Sequence, residues 1–207
     1  MKEIIGTAIS TIVIVGTWNK AIFTPEWIKE NILSDIEYFN INVPFPTNNN
    51  SLKFSTDSYS FCVIGDRLVF EIIKPYELTY LSVIKNLRTI LRLLLHTPVF
   101  AFGVNFSFES NTSNSLMTDL DDDRLFNCVN SIPKEKKVTF TFPLTSSETL
   151  NFSITSDNNI IRYNYNFDYK IKNTIDIVNI IEDDAFISQK KEFAMKILSE
   201  RYNENIE

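Results

Sequence analysis

The sequence is poor in the residues that most cofactor and metal sites require. Its 207 residues include four glycines, two cysteines and one histidine. Four glycines leave no Walker A loop and no dinucleotide-binding loop, because both need glycines at fixed spacing. Two cysteines, Cys62 and Cys128, are too few for a zinc site built on a cysteine cluster. Nucleotide-dependent chemistry is therefore the least supported class, and we expect neither a cofactor nor a metal.

A long apolar run is also missing. The longest nearly apolar stretch, residues 9–18, is shorter than the roughly 20 residues that a transmembrane helix needs. The first residues lack the cationic start of a signal peptide, and no small-residue cleavage site follows the apolar stretch. Both cysteines lie in apolar-rich segments and are expected to be reduced and buried. These features predict a cytoplasmic protein without a membrane partner.

Positive charge is scarce for a nucleic-acid-binding protein. The net charge is −6 and the sequence pI is about 4.9. The excess of acid lies entirely in residues 101–207, since residues 1–100 carry equal numbers of acidic and basic side chains. Tight nucleic-acid binding needs many lysines and arginines that face phosphates. The overall composition argues against it and leaves open a local basic patch.

Aromatic residues are abundant, with 17 phenylalanines and eight tyrosines. Between residues 99 and 109 they alternate with small or polar residues, which predicts a half-buried strand because successive side chains point in opposite directions. That strand would bury Phe100, Phe102, Val104, Phe106 and Phe108. The same alternation recurs at 138–142, 150–154 and 161–169. One aromatic and one polar face are typical of an antiparallel sheet.

Strands and helices follow the same order in both halves. The first half has a strand at 9–18, a helix that begins at Thr24-Pro25-Glu26 and runs to about Leu33, and then a hairpin through Gly65-Asp66. Its long helix spans about 75–96, with apolar residues at the helical period. The second half has a short helix near 118–129 and a helical segment at 174–202, with a possible break at 182–184.

This order predicts an α+β fold in a single domain, 1–207, with pseudo-repeated halves of about 1–97 and 98–207. Each half would be a β-α-β-β-β-α unit, and together they would form one curved antiparallel sheet with two long helices on one face. Such an arrangement is similar to the TATA-binding-protein-like and helix-grip architectures. A likeness of architecture implies no particular function.

Two short blocks resemble a family of uncharacterised bacterial proteins. The first is GTWNKAIFTPEW at residues 16–27, and the second is HTPVFAFGVNF at residues 96–106. The resemblance covers about 23 of the 207 residues. It implies a small intracellular α+β protein of bacterial origin whose activity is unassigned.

Candidate catalytic groups are few. The acidic runs Asp119–Asp123 and Glu182–Asp184 could hold a hard cation, but neither has the spacing of a calcium loop, and acids also favour helix N-termini. His96 is the only histidine, so a Ser-His-Asp or Cys-His pair would have to use it. An enzyme with a cleft between the halves, using His96 or the Asp119–Asp123 cluster, is therefore one alternative function.

The long helix carries a basic stripe. Lys85, Arg88, Arg92 and His96 are spaced three and four residues apart, which puts them on one side of a helix. The stripe is either a solvated helix face or a docking ridge for an acidic partner. A nucleic-acid-binding subunit that uses Lys85, Arg88 and Arg92 is the second alternative, and it requires them to join Lys134, Lys136 and Lys137 in one patch.

The second face of the predicted sheet is polar, uncharged and rich in small hydrogen-bonding groups. Its residues are Asn105, Ser107, Thr139, Thr141, Asn151, Ser153, Thr155, Asn164 and Asn166. If helices cover only the aromatic face, these groups are free to recognise a protein partner, and edge strands could pair with a second copy. The primary prediction is therefore a non-enzymatic protein-interaction module, a subunit of a bacterial defence, toxin-neutralising or phage-related assembly. Its partner-binding residues would be Lys85, Arg88, Arg92, His96, Asn105, Ser107, Asn164 and Asn166.

Overall fold

Ten β-strands form one sheet in this computed structural model, which describes residues 3–43, 51–110, 135–157, 160–202 and 205–206. The strands are β1 (Glu3–Gly16), β2 (Asn40–Asn42), β3 (Lys53–Ser55), β4 (Tyr59–Ile64), β5 (Arg67–Ile72), β6 (Val99–Ser110), β7 (Glu135–Pro143), β8 (Glu148–Asp157), β9 (Ile160–Tyr169) and β10 (Asn205–Ile206). The α-helices of the described residues are α1 (Pro25–Asn31), α2 (Glu77–Leu93), α3 (Thr174–Ile180) and α4 (Phe186–Tyr202), and a 3-10 turn covers Lys20–Ile22.

β1 and β6, the first strands of the two halves, lie side by side at the centre of the sheet. Nine strands are antiparallel neighbours in the order β2-β3-β4-β5-β1-β6-β9-β8-β7, and β10 pairs in parallel with β1. Outward from β1 come β5, β4 and β3, and outward from β6 come β9, β8 and β7. The predicted α+β class and antiparallel sheet are confirmed.

Helix boundaries follow the local chemistry of the chain. Thr24 caps α1 by accepting the Trp27 N–H, and Pro25 is its first residue. The first N–H groups of a helix have no hydrogen-bond partner within the helix, so a proline at the first position loses no hydrogen bond. The predicted break near 182–184 is confirmed, because α3 ends at Ile180 and α4 begins at Phe186. The helix predicted at 118–129 lies outside the described residues.

Alternation correctly identified the buried side of most strands, with an error at the start of β6. Phe102, Val104, Phe106 and Phe108 are at most 1% exposed, whereas Phe100 is 64% exposed. The pairing register explains the error. Val15 pairs with Ala101 and Gly16 pairs with Val99, so an irregularity in the ladder skips Phe100. A bulge of this kind turns the next side chain to the opposite face, and Val99 is buried in place of Phe100.

The helices pack on the aromatic face of the sheet. Phe186 stacks on Phe102, and Phe193 meets the Phe167 ring edge to face, so α4 covers β6 and β9. In α2, Asn86 donates to the Tyr59 hydroxyl of β4 at 2.6 Å. Buried side chains from both halves form one continuous core cluster. None of the described helices is both long and apolar enough to cross a membrane.

The two sequence blocks at residues 16–27 and 96–106 meet at one end of the central strand pair. The Thr17 N–H donates to the Pro98 carbonyl at 2.8 Å. Trp18 folds back and donates its indole N–H to the Ile14 carbonyl, and its ring meets Phe23 edge to face. The Thr17–Pro98 hydrogen bond therefore joins the two halves, and Trp18 packs beside it within the first half.

Candidate interaction surface

The polar side chains of β6 to β9 lie together on the sheet face opposite the helices. The pairing registers align them into rows across the strands, because Asn105 pairs with Asn166, Asn166 with Asn151, and Asn151 with Thr141. A second row contains Ser107, Asn164, Ser153 and Thr139. We call the nine polar residues of the sequence prediction the polar face: Asn105, Ser107, Thr139, Thr141, Asn151, Ser153, Thr155, Asn164 and Asn166. Their co-location is confirmed.

A chain of side-chain hydrogen bonds runs through the first row. The Thr141 hydroxyl donates to Asn151 Oδ1 at 3.0 Å, and Asn151 Nδ2 donates to Asn166 Oδ1 at 3.1 Å. Asn166 Nδ2 donates to Asn105 Oδ1 at 2.7 Å, and Asn105 Nδ2 donates to Thr11 Oγ1 at 3.1 Å. All donors point the same way, from β7 toward β1. Hydrogen bonds aligned in this way strengthen one another.

The three amides in this row have capacity left for a ligand. A side-chain amide has two N–H donors and an oxygen with two lone pairs. Within the described residues, Asn105, Asn151 and Asn166 each give one donor and one acceptor to the row. Each amide therefore retains one N–H and one lone pair. All three are half-buried, which holds them in place and leaves them accessible.

The row continues into the first half of the chain, which the sequence reasoning missed. Thr11 pairs with Glu71, and Glu71 pairs with Ser60. The Glu71 carboxylate accepts from Lys53 Nζ at 2.6 Å, and this hydrogen bond is the main reason that its pKa lies below the usual range. Ser60 is completely buried. A serine and a glutamate within otherwise apolar strands were the available signal for this extension.

Exposure on the polar face increases toward β7. Thr139 and Thr141 are exposed, and the residues of β8 and β9 are half-buried. In the next row Arg162 contacts Glu109 at 2.6 Å, and the exposed Lys137 lies in that same row. The two rows of amides and hydroxyls are therefore neutral and hydrogen-bonding, with charged residues in the row on either side of them.

The basic stripe of α2 is divided between internal contacts and solvent. Lys85 Nζ lies 2.7 Å from a carboxylate oxygen of Asp35. Arg88 is largely buried and donates to the Ile181 and Glu182 carbonyls and to Asp184 at 2.5 Å. Arg92 and His96 are exposed. The stripe thus includes one arginine that fastens α2 to the α3–α4 junction.

The described cations named for nucleic-acid binding do not all lie on one side of the sheet, because Lys136 is on the helix side of β7 and Lys137 is on the opposite side. Lys85, Arg88 and Arg92 are on α2, which packs against the aromatic face. Lys137 of β7 pairs with Thr155 of β8, and it lies on the polar face, on the other side of the sheet. Lys134 lies outside the described residues.

Where the structure describes them, the candidate catalytic residues are exposed or stabilise the start of a helix. His96 follows the end of α2 and is exposed. Asp183 Oδ1 accepts the Ala185 N–H, and Asp183 Oδ2 accepts from Gln189, so this acid organises the start of α4. The Asp119–Asp123 run and Cys128 lie outside the described residues. Where the chain is described, no group of three His, Cys, Asp or Glu side chains is arranged to hold a metal ion.

A buried ionic cluster on the helix side was also missed. Glu148 accepts from Lys190 Nζ at 2.5 Å and from the Tyr169 hydroxyl at 2.9 Å. The Lys190 ammonium also lies 5.5 Å from the centre of the Phe167 ring. Burial, together with the adjacent Glu148 charge, raises the pKa of Tyr169, so this phenol remains a hydrogen-bond donor. The cluster attaches α4 to the ends of β8 and β9.

Described residues of the first half line two clefts, and His96 lines neither. The larger, about 300 Å³, lies between the start of α2 and the β3–β4 turn, beside Tyr38, Asp57 and Leu78. The smaller, about 140 Å³, is lined by Lys20, Thr24, Ser51 and neighbouring residues. Neither brings together a nucleophile, a base and an orienting group, which catalysis by a triad requires.

Comparison with known proteins adds no family assignment. No family model matches the chain, and none of the curated proteins matches it.

Proposed function

We propose that this chain is a protein-interaction module that binds a protein partner through the polar face of its sheet, without bond chemistry of its own. The observation that carries the proposal is the row of half-buried amides at Asn105, Asn166 and Asn151. Each offers a spare donor and acceptor, and adjacent strands are about 4.8 Å apart. The backbone and side-chain amides of a partner protein are complementary to such a row.

Preorganisation favours this surface over the basic stripe. The amides are already oriented by hydrogen bonds to their neighbours, so binding would immobilise few side chains. In the stripe, Arg88 is engaged by three oxygen-bearing groups of the chain itself. The predicted roles of Asn105, Asn164 and Asn166 are therefore retained in the proposal. Ser107 is buried and donates to Asn164, so it and Arg88 are reassigned to structural roles.

We further infer that the two halves are a structural duplication with a TATA-binding-protein-like or helix-grip-like arrangement. The support is the strand order, which is the same on both sides of the β1–β6 pair. In each half a long helical segment follows the last strand. The polar face would then be the side of the sheet that the helices leave open.

The proposed setting is a cytoplasmic multi-protein assembly in a bacterium, of the defence, toxin-neutralising or phage-related kind. Its support is the resemblance of the two blocks at 16–27 and 96–106 to uncharacterised bacterial proteins. No substrate or nucleic acid is part of the proposal.

Matched arginine substitutions on the two sides of the molecule test the proposal. Ser153→Arg and Asn151→Arg place a bulky charge on the polar face, whereas Ser199→Arg in α4 and Asn179→Arg in α3 make the same changes at exposed helix positions. Tagged proteins are used to recover partners from cells of the source organism, and each recovered partner is then purified and titrated against all variants by calorimetry. A direct partner is expected to lose at least about tenfold in affinity with Ser153→Arg and to keep its affinity with Ser199→Arg.

The opposite pattern would contradict the proposal. If purified partners bind the Ser153→Arg and Asn151→Arg variants as tightly as the unmodified chain, and lose affinity for the Ser199→Arg or Asn179→Arg variant, the binding surface is on the helix side. Circular dichroism of each variant checks that the fold is intact.

A further inference from the structure

We propose that the outer edge of β7, which pairs only with β8 where the chain is described, pairs with the β7 edge of a second copy of this chain in antiparallel orientation, to give a two-fold dimer with one continuous sheet. The contact would be made by the backbone edge of β7, whereas the proposed function uses side chains of the polar face, so the inference does not depend on the proposed function. It rests on the two edges of the sheet, on the aromatic rows that run to β7, and on the positions of its lysines.

The two edges of the sheet differ in length and in chemistry. At one edge, β2 has three residues, and its two asparagines are exposed together with Ile41. At the other edge, β7 has nine residues and, within the described chain, pairs only with β8. A nine-residue strand offers about 30 Å of backbone donors and acceptors. An unpaired edge of this length is a template for another strand.

Aromatic rows extend from the core to this edge and end there. Phe152 packs on Tyr165 with ring centres 4.7 Å apart, and Phe140 stacks on Phe152 at 6.1 Å. Phe142 stacks on Phe140 at 6.2 Å and is 45% exposed. Val138, on the same face of β7, is half-buried. A second β7 would cover these side chains and continue both the sheet and its aromatic face.

Charge placement favours the antiparallel orientation, and full overlap of the nine residues of each β7 sets the register. Lys136 and Lys137 are both near the start of β7, so antiparallel pairing puts the lysines of the two copies at opposite ends of the contact. Pairing centred on Thr139 sets Val138 opposite Phe140 of the other copy and Lys136 opposite its Phe142. Parallel pairing in register would put like charges opposite one another, which is unfavourable.

The test is the oligomeric state of the full-length chain and of two lysine variants. Phe142→Lys adds a charge at the β7 edge, and Ile41→Lys makes a matched change at the β2 edge, where Ile41 is 39% exposed. Sedimentation equilibrium is expected to give twice the chain mass of 24.0 kDa for the unmodified protein and for Ile41→Lys. For Phe142→Lys the dimer dissociation constant is expected to rise by at least about tenfold. Circular dichroism verifies that both variants are folded.

A cross-linking experiment tests the register. In a Cys62→Ser, Cys128→Ser background, Thr139→Cys is expected to form a disulfide between copies, because Thr139 faces its own counterpart across the dimer axis. Thr155→Cys, on the interior strand β8, is expected to remain a monomer on a non-reducing gel. A chain that sediments as a monomer at every concentration overturns the proposal, as does a dimer that Phe142→Lys leaves intact or a failure of Thr139→Cys to cross-link.

Discussion

Gly16 lies directly against the backbone of Pro98, and a side chain on Gly16 has no room there. A Cβ atom at this position would be 2.6 Å from the Pro98 carbonyl oxygen and 3.1 Å from Cγ1 of Val99. The Pro98 oxygen is held in place by the Thr17 N–H. The close approach of the two halves at this end of the sheet therefore requires glycine.

Gly16→Ala is expected to lower the free energy of unfolding by about 1–3 kcal/mol, because the backbone must move to relieve the clash. Gly103→Ala is the control, since the nearest atom to its new Cβ would be the end of the Asn166 side chain at 3.3 Å. Urea unfolding of both variants measures the difference. Equal losses of unfolding free energy in the two variants would mean that the backbone at Gly16 can move away from Pro98 without cost.

Arg88→Lys is expected to cost about 1–2 kcal/mol and to loosen the α3–α4 junction. Lysine keeps the charge but cannot reproduce the planar fork that reaches two carbonyls and Asp184. Arg92→Lys, one turn later and exposed, should stay within about 0.5 kcal/mol of the unmodified chain.

Hydrogen exchange provides the local measurement for this pair of variants. Amides of α3 and of the first turn of α4 should exchange faster in Arg88→Lys than in Arg92→Lys. If both variants leave these amides equally protected, Arg88 does not fasten the junction.

Asn166→Ala is expected to be more destabilising than Asn164→Ala. Asn166 makes two hydrogen bonds in the amide row, whereas Asn164 accepts one from Ser107. At about 0.5–1.5 kcal/mol for each hydrogen bond, the difference is on the order of 1 kcal/mol. Chemical denaturation at neutral pH measures it. If Asn164→Ala lowers the free energy of unfolding as much as Asn166→Ala does, the amide row does not stabilise the fold as a unit.

Stability is expected to fall in alkaline solution as buried tyrosines ionise. Burial raises the pKa of Tyr59 from 10.0 to about 12. Because the unfolded chain releases this proton first, the contribution of Tyr59 is complete below pH 10 and is lost as the pH rises toward 12. Between pH 10 and 12 the free energy of unfolding therefore falls by about 1.4 kcal/mol per pH unit because of Tyr59.

Tyr59→Phe isolates the contribution of this tyrosine. The variant should lose stability with a smaller slope between pH 10 and 11 than the unmodified chain, as measured by urea unfolding at each pH. It also removes the acceptor of the Asn86 side chain, so its stability at neutral pH should be lower. Identical slopes for the two proteins would show that Tyr59 ionises at the same pH in the folded and unfolded states.

Local patterns predicted the elements, whereas long-range contacts determined how the site is assembled. The alternation from 150 to 169 reports burial directly, and Leu150, Phe152 and Phe167 are indeed in the core. Phe100 was predicted wrongly because a bulge depends on the register with β1, which no local pattern encodes. The polar face could be predicted for the same reason as the core: both follow from a side-chain period of two.

The basic stripe illustrates the limit of such reasoning. Helical spacing correctly aligned Lys85, Arg88 and Arg92 on one helix, but Asp35 is 50 residues from Lys85 and Asp184 is 96 residues from Arg88. Partners at that distance in sequence depend on the packing of helices against the sheet. The Glu148–Lys190 contact was missed for the same reason, since its members are 42 residues apart in the sequence.

The position of β1 has a consequence for the order of folding. Ile12 pairs with Phe70 on one side and with Val104 on the other. During synthesis β5 emerges from the ribosome well before β6. In the interval, one edge of the long apolar strand β1 has no strand to pair with. Contacts so distant along the chain slow folding and leave the nascent intermediate prone to aggregation. Faster translation, or a chaperone that shields β1 until β6 arrives, should therefore increase the yield of native protein.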